Sequence, residues 1–136
     1  MADNALKPLL VVEDNVGIQK QLKWSFEGYE VLLAGDRAAA LEQVQKQKIP
    51  VVTLDLGLPP DPANASEGLA ALQEILALSP HTKVIVVTGN DDRANALKAI
   101  SLGAYDFYQK PIEPDVLALI VDRAYQLYEL EEENRQ

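Results

Sequence analysis

The chain has 136 residues, of which 48% are hydrophobic and 24% charged, as expected for one globular domain with a single core. Its formal net charge of -9 at pH 7 repels phosphate backbones and anionic lipid, so we expect this domain to contact neither nucleic acid nor membrane directly. Because it has no cysteine and no apolar stretch near the roughly 20 residues of a membrane span, we expect a cytoplasmic location.

Short apolar runs alternate with amphipathic stretches, a pattern typical of strand–helix units around a parallel sheet. In the first helix the apolar residues Ile18, Leu22 and Phe26 recur every four positions until Gly28 ends it. Trp24 lies off this stripe, and we expect it to pack against a neighbouring helix; half exposure at a kinase-docking face is the alternative. In chain order, the predicted strands are 9–12, 30–34, 51–54, 84–87 and 107–109. The first two predicted helices run from after Asp14 to Gly28 and from Asp36 to about Gln47. The third starts near Ser66 or Glu67 and is stopped by Ser79-Pro80, the fourth runs from about Asp92 to Leu102, and the last begins near Pro114.

Strict alternation of five strands and five helices predicts an α/β fold, a three-layer (βα)5 doubly wound parallel sheet with right-handed crossovers. The expected strand order is 2-1-3-4-5. In that order the first and third strands are neighbours where the winding reverses, so Glu13, Asp14 and Asp55 meet in one crevice at the carboxyl edge. Thr88 and Lys110, which follow the fourth and fifth strands, flank it. Each residue alone could be an ordinary loop polar group, but their joint placement favours a functional site.

Three carboxylates in one crevice require cations. Two carboxylates about 4 Å apart repel by roughly 4 kcal/mol at an effective dielectric constant near 20. The available ligands are all oxygens, which suits Mg²⁺, Mn²⁺ or Ca²⁺ and argues against zinc. Mg²⁺ keeps several waters and commonly shares its coordination shell with a phosphate. The residues therefore suggest phosphoryl chemistry at one of the carboxylates.

The same residues resemble those of a receiver domain of a bacterial two-component response regulator, over essentially the whole chain. The resemblance implies the fold that this family shares with flavodoxin-like and CheY-like domains. The matching residues are Glu13-Asp14, Asp55 with Leu56 and Pro59 after it, Thr88-Gly89 and Lys110-Pro111.

The resemblance implies a role for each acidic residue. Asp55 would be the phosphoacceptor, which takes a phosphoryl group from a phosphohistidine of a sensor histidine kinase. Asp14, Asp55 and the backbone carbonyl of Gly57 would bind Mg²⁺, and Glu13 would act through a bound water. The domain would catalyse only its own phosphoryl transfer and dephosphorylation, so we expect a signalling switch rather than an enzyme.

The remaining matching residues would form the switch. Lys110 would pair with the carboxylate and then with a phosphoryl oxygen, and its bond to Pro111 would be cis. An acyl phosphate attracts donors, so the Thr88 hydroxyl should move toward it. Phe107 could turn into the vacated space and alter the surface of the fourth helix, fifth strand and fifth helix. A homodimer through that surface is possible, and a permanently buried Phe107 is the alternative.

One segment departs from the family pattern. Gly68 corresponds to a glycine that usually lies closer to the phosphoacceptor, which implies an insertion of about five residues between Pro60 and Ser66. This insertion could screen the phosphoryl group, touch the kinase or be a neutral extension.

Residues 1–128 would be the receiver domain, and 129–136 an acidic helical extension. We expect this extension to begin a linker toward an output domain absent from this chain. The linker would resemble those of enhancer-binding, NtrC-like transcription activators. A solvated helix end is the alternative.

Two other protein classes remain open. A phosphatase of the haloacid-dehalogenase type also forms an aspartyl phosphate, but it places a general acid two residues later, where this chain has Gly57. A receiver-like module that is never phosphorylated usually lacks one of the acidic or lysine positions. All of these positions are filled here.

Overall fold

The computed structural model describes residues 6–61, 64–89 and 92–135. Five parallel strands pair in the order β2-β1-β3-β4-β5, which confirms the predicted order. Pro62 and Ala63 of the insertion and Gln136 of the extension lie outside the described residues. The strands are β1 (Lys7–Val12), β2 (Tyr29–Ala34), β3 (Val51–Asp55), β4 (Lys83–Thr88) and β5 (Asp106–Gln109). The helices are α1 (Val16–Ser25), α2 (Arg37–Lys46), α3 (Ser66–Leu78), α4 (Arg93–Ser101) and α5 (Pro114–Arg135).

The two faces of the sheet bury separate apolar layers. In β1, Leu10 and Val12 pack under α2, α3 and α4, whereas Leu9 and Val11 pack under α1 and α5. This division follows from the two-residue period of a strand, which points successive side chains to opposite faces. Because both faces are covered, the central strands are mostly apolar, with Thr53 as a buried polar exception in the middle of β3. The fold thereby leaves only the two edges, where the strands begin and end, for polar side chains.

Side chains and glycines set the helix ends. Asn15 Oδ1 accepts from the Ile18 amide at 3.0 Å at the start of α1, and Asp36 Oδ1 accepts from the Ala39 amide at 2.8 Å at the start of α2. Each bond satisfies an amide that the helix cannot pair internally. Gly103, with a φ of 113°, reverses the chain after α4.

The expectation for Trp24 is wrong, because its side chain is 83% exposed. Leu22 and Phe26 face the sheet, and Trp24 lies midway between them in sequence, about 200° around the helix from each. No neighbouring helix covers that side of α1 among the described residues.

Helix α5 runs unbroken over the face that α1 also covers. Its stripe of Leu117, Val121 and Ala124 is fully buried, and the Tyr125 hydroxyl donates to the Pro8 carbonyl at 3.0 Å. A helix that only covered the sheet could end near Tyr125. Tyr128 is also buried, so α5 packs against the domain beyond that point. Among the described residues, no helix has the length and apolar character to cross a bilayer.

Candidate functional site

The carboxyl edge of the sheet gathers the three acids singled out in the sequence. Strands β1 and β3 pair in parallel with Val12 opposite Leu54, so Glu13 and Asp55 leave the sheet side by side. One carboxylate oxygen each from Glu13, Asp14 and Asp55 lie within 4.8 Å of one another. Glu13 and Asp55 are buried and Asp14 is exposed, so this acidic pocket opens to solvent on one side.

Lys110 brings a cation into the acidic pocket. Its backbone amide donates to the Thr88 carbonyl at 2.8 Å, which continues the pairing of β4 with β5. Its Nζ lies 2.8 Å from Asp55 Oδ2, so the two form a charge-assisted hydrogen bond. The Lys110–Pro111 peptide bond is cis, as the resemblance implies.

The loop after β3 holds the other Asp55 oxygen. The Gly57 amide donates to Asp55 Oδ1 at 2.8 Å, and the Leu56 amide donates to the Val87 carbonyl at 3.1 Å. Helix α3 packs tightly on this turn, because a Cβ on Gly68 would lie 2.3 Å from the Leu56 Cα. Only glycine permits this approach, so Gly68 fixes the backbone beside Asp55.

The acidic pocket carries more negative charge than its residues neutralise. Burial, with the hydrogen bond and charge of Asp55, raises the pKa of Glu13 to about 8. Burial also disfavours the Lys110 ammonium, but its hydrogen bond to Asp55 and the surrounding carboxylates outweigh this, so its pKa is raised. One lysine thus faces three acids. The oxygen-only donors and the excess negative charge fit a hard divalent cation.

Thr88 and Phe107 lie beside one another on the same face of the sheet. Val86 is paired with Phe107 and Thr88 with Gln109, so Phe107 and Thr88 share the face that α4 covers. The Thr88 side chain is 1% exposed, and its hydroxyl has no hydrogen-bond partner among the described residues. A buried hydroxyl without a partner costs stability. Phe107 is half-buried, which leaves its expected rotation a prediction.

The loop between β3 and α3 is anchored from within. Leu58 is fully buried, and Asp61 accepts from Asn64 Nδ2 at 3.0 Å and from Ser66 Oγ at 2.8 Å. The two hydrogen bonds, Ser66 first, lower the pKa of Asp61. The Pro59–Pro60 peptide bond is also cis, which the sequence did not indicate.

Sequence reasoning missed the residues that orient Glu13. The Asn15 amide donates to Glu13 Oε2 at 3.0 Å, and Gln19 Nε2 donates to the Glu13 carbonyl. The available signal was polar residues at the start of α1, directly after the first strand. A polar group there serves as a helix cap more often than as part of a site, so the pattern alone does not reveal this role.

The sequence profile of the response regulator receiver domain family matches residues 9–122. The chain belongs to this family. The receiver domain is 31% identical over 133 residues to the regulatory protein AtoC of Escherichia coli, which covers 96% of this chain and 28% of that protein. It is 33% identical over 121 residues to the Escherichia coli transcriptional regulatory protein ZraR, covering 85% of this chain and 26% of that protein.

Solved structures agree with this assignment. NtrX from Brucella abortus in complex with ADP superposes with a TM-score of 0.86 at 32% identity, covering 96% of this chain and 30% of that one. A CheY-like receiver domain protein from Methanospirillum hungatei superposes with a TM-score of 0.84 at 28% identity, covering 93% and 99%. The receiver domain thus matches receiver domains nearly end to end, whereas it spans under a third of the curated relatives.

Proposed function

We propose that this receiver domain is a phosphorylation-dependent switch, in which Asp55 accepts a phosphoryl group from a phosphohistidine of a sensor histidine kinase. The observation that carries the proposal is the acidic pocket itself. Asp55 lies within 4.8 Å of the Glu13 and Asp14 oxygens and is held by Lys110 at 2.8 Å. Hydrogen bonds from Gly57 and Lys110 fix its two oxygens, so the nucleophile is oriented before the donor arrives.

The carboxylates of Asp14 and Asp55 with the Gly57 carbonyl would hold Mg²⁺, and Glu13 would contact it through a water. When bound, the cation supplies positive charge for the phosphoryl oxygens. Glu13 is buried and held by the Asn15 amide, and a bound cation would favour its ionised form, which burial and Asp55 disfavour in the metal-free pocket. The exposure of Asp14 leaves a path for the cation and for the donor.

In the phosphoryl transfer, an Asp55 oxygen forms a bond to phosphorus as the phosphorus–nitrogen bond of the phosphohistidine breaks. The bonding pair leaves with the imidazole nitrogen. Lys110 then donates to a phosphoryl oxygen, because its ammonium already lies at hydrogen-bond distance from the same carboxylate. Hydrolysis of the acyl phosphate by water regenerates the Asp55 carboxylate and returns the domain to its first state.

The unpartnered Thr88 hydroxyl supports its assignment as the switch. A phosphoryl oxygen would give it the hydrogen bond that it lacks among the described residues, and Phe107 lies next to it on the same sheet face. Movement of Thr88 would therefore change the space available to Phe107. The surface of α4, β5 and α5 would then differ between the two states.

The output of this switch would be a separate domain in a longer chain that regulates transcription, linked through residues 129–136. ZraR is named a transcriptional regulatory protein and AtoC a regulatory protein, and the receiver domain spans under a third of the length of each. A homodimer would form through α4, β5 and α5. That surface exposes apolar side chains, among them Leu97, Leu119 and Leu130.

Mass spectrometry after incubation with Mg²⁺ and acetyl phosphate tests the acceptor. We expect wild type to gain one phosphoryl group and Asp55→Asn to gain none. Asp61→Asn is the matched control, because Asp61 lies in the adjacent loop and outside the acid cluster. Equal labelling of Asp55→Asn and wild type would show that the acceptor is another residue.

The same incubation separates the switch from a phosphatase. A phosphatase would also hydrolyse phosphate esters through many cycles, whereas a switch takes one phosphoryl group per chain from an activated donor such as acetyl phosphate. Gly57 supports the switch, because a phosphatase needs an acid at that position to protonate the leaving group. Turnover of a phosphate ester in large excess over protein would contradict our proposal.

A further inference from the structure

The amino edge of the sheet, opposite the acidic pocket, carries three lysines from three separate segments. Lys7 begins β1, Lys48 precedes β3 and Lys83 begins β4. Each of them pairs with a different glutamate in the last turns of α5. The pairs are Lys7–Glu129 (Nζ to Oε1, 3.5 Å), Lys83–Glu131 (Nζ to Oε1, 2.7 Å) and Lys48–Glu132.

Two tyrosines of α5 extend this arrangement. Lys7 Nζ lies 5.0 Å from the centre of the Tyr125 ring, and Lys48 Nζ lies 5.7 Å from the centre of the Tyr128 ring. Glu129 follows Tyr125 by four residues, as Glu132 follows Tyr128. Residues four apart stack on one side of a helix, so each lysine is held by an aromatic ring and a carboxylate from consecutive turns.

The arrangement distinguishes the end of α5 from an ordinary solvated helix end. In a solvated end the charges face water, and their pairs form within the helix. Here Glu129, Glu131 and Glu132 each contact a different segment of the sheet's amino edge, and Glu132 also pairs with Arg135 within the helix. One such exposed pair contributes little, but three that converge on nearly one helical turn, with two aromatic contacts, act together.

We infer that the lysines Lys7, Lys48 and Lys83 form a clasp that binds α5 through Glu132 to the domain. The partner that fits this basic edge is an acidic helix with an aromatic residue four positions before each glutamate, which α5 supplies. A segment that continues α5 past Glu132 therefore takes its direction from the clasp. The inference does not rest on the proposed phosphorylation, because none of the clasp residues belongs to the acidic pocket.

Amide hydrogen exchange on the full chain tests the clasp. In Lys7→Glu/Lys48→Glu at low salt, we expect the amides of 127–135 to exchange about three- to tenfold faster than in wild type. Adding Glu129→Lys and Glu132→Lys reverses both pairs and should restore slow exchange, with Arg135→Glu included so that residue 132 keeps its partner within the helix. Sodium chloride at about 1 M, where the screening length is about 3 Å, should speed exchange of the same amides in wild type.

The matched control is Lys23→Glu/Lys46→Glu, which makes the same change in net charge at exposed lysines for which no ion pair with α5 is found among the described residues. Lys46 pairs with Glu42 inside α2. Amides of β4 report global unfolding and should keep wild-type exchange in every variant. Exchange of 127–135 that matches this control, or that the reversed pairs fail to slow, would overturn the clasp. Such a result would leave phosphorylation of Asp55 untouched.

Discussion

The two edges of the sheet use the same residue types in opposite arrangements. At the carboxyl edge, one lysine faces three clustered acids, two of them buried. At the amino edge, three lysines each have their own glutamate, and most of these side chains are exposed. Unbalanced charge in a buried site lowers stability, and such sites are commonly functional. Balanced ion pairs at the surface can instead hold a segment in position. The carboxyl edge should therefore be the more sensitive of the two to substitution.

The largest expected effect is that of Gly68→Ala at the carboxyl edge. A Cβ there would lie 2.3 Å from the Leu56 Cα and 2.5 Å from the Leu56 carbonyl oxygen, so backbone must move. We expect a loss of about 3 kcal/mol in the free energy of unfolding, measured by urea denaturation. Gly35→Ala is the control, because its Cβ would meet only Gln19 Nε2 at 3.9 Å. Equal stability of both variants would refute this close packing.

The second effect is a pH dependence that Glu13 gives to the metal-free protein. Its pKa is about 8 in the folded chain against an ordinary value of 4.5, because of burial and the adjacent Asp55. A raised pKa means stability that is complete below pH 4.5 and lost as the pH rises through 8. Urea denaturation in EDTA should show that the free energy of unfolding falls by roughly 2 kcal/mol from pH 5 to pH 9. This value allows for relaxation of the groups around Glu13, which reduces the full effect of the pKa shift.

Glu13→Gln should abolish most of this fall, because the amide carries no charge at any of these pH values. Glu42→Gln, on the exposed side of α2, serves as the control and should retain it. Mg²⁺ should raise the stability of wild type at pH 9 more than that of Glu13→Gln. A wild-type protein with flat stability over this range would contradict the charge imbalance that distinguishes the carboxyl edge.

The sequence predicted the carboxyl edge better than the amino edge, for a physical reason. Apolar runs identify the strands, and the reversal of winding between the first and third brings Glu13 and Asp55 together without further information. The pairing of Lys48 with Glu132 joins residues 84 apart in sequence. Helical periodicity shows which side of α5 faces the sheet, but not which lysines lie below its end. From the sequence, the glutamates were expected to begin a linker, with a solvated helix end as the alternative, and their contacts with the lysines were not predicted.

Trp24 shows the same limit of local sequence patterns, here for an exposed residue. Its size favours burial in general, yet α1 offers the sheet a single stripe, and no second helix covers its outer side among the described residues. Packing against a neighbouring helix depends on where that neighbour lies, which no local pattern states. The acidic pocket escaped this limit because strand order alone determines which strand ends are adjacent.

The third prediction concerns the carboxyl edge and tests whether the unpartnered Thr88 hydroxyl lowers the stability of the domain. Thr88→Val keeps the shape and removes a buried hydroxyl that has no partner among the described residues, so we expect stability to rise by about 1 kcal/mol. Thr82→Val is the matched control. The Thr82 hydroxyl donates to the Ile49 carbonyl at 2.8 Å, so its removal should lower stability. Urea denaturation of both variants measures the two signs, and a loss at Thr88 would show that its hydroxyl is satisfied.

The smallest expected effect is at the amino edge. Its dependence of stability on pH has the opposite sign to that of Glu13. The hydrogen bond from Lys83 lowers the pKa of Glu131, so this pair contributes stability above pH 4.5 that is lost as the pH falls through the folded pKa. The Glu131 side chain is 38% exposed, so solvent screens the pair, and its coupling should stay below about 1 kcal/mol. A double-mutant cycle of Lys83→Met and Glu131→Gln, run at pH 7 and pH 3, measures this coupling. Coupling that persists at pH 3 would mean that the contact is held by packing of the lysine stem rather than by charge. The amino edge would then be stabilised by apolar packing, like the rest of the domain. The acidic pocket would be the one remaining difference in electrostatics between the two edges.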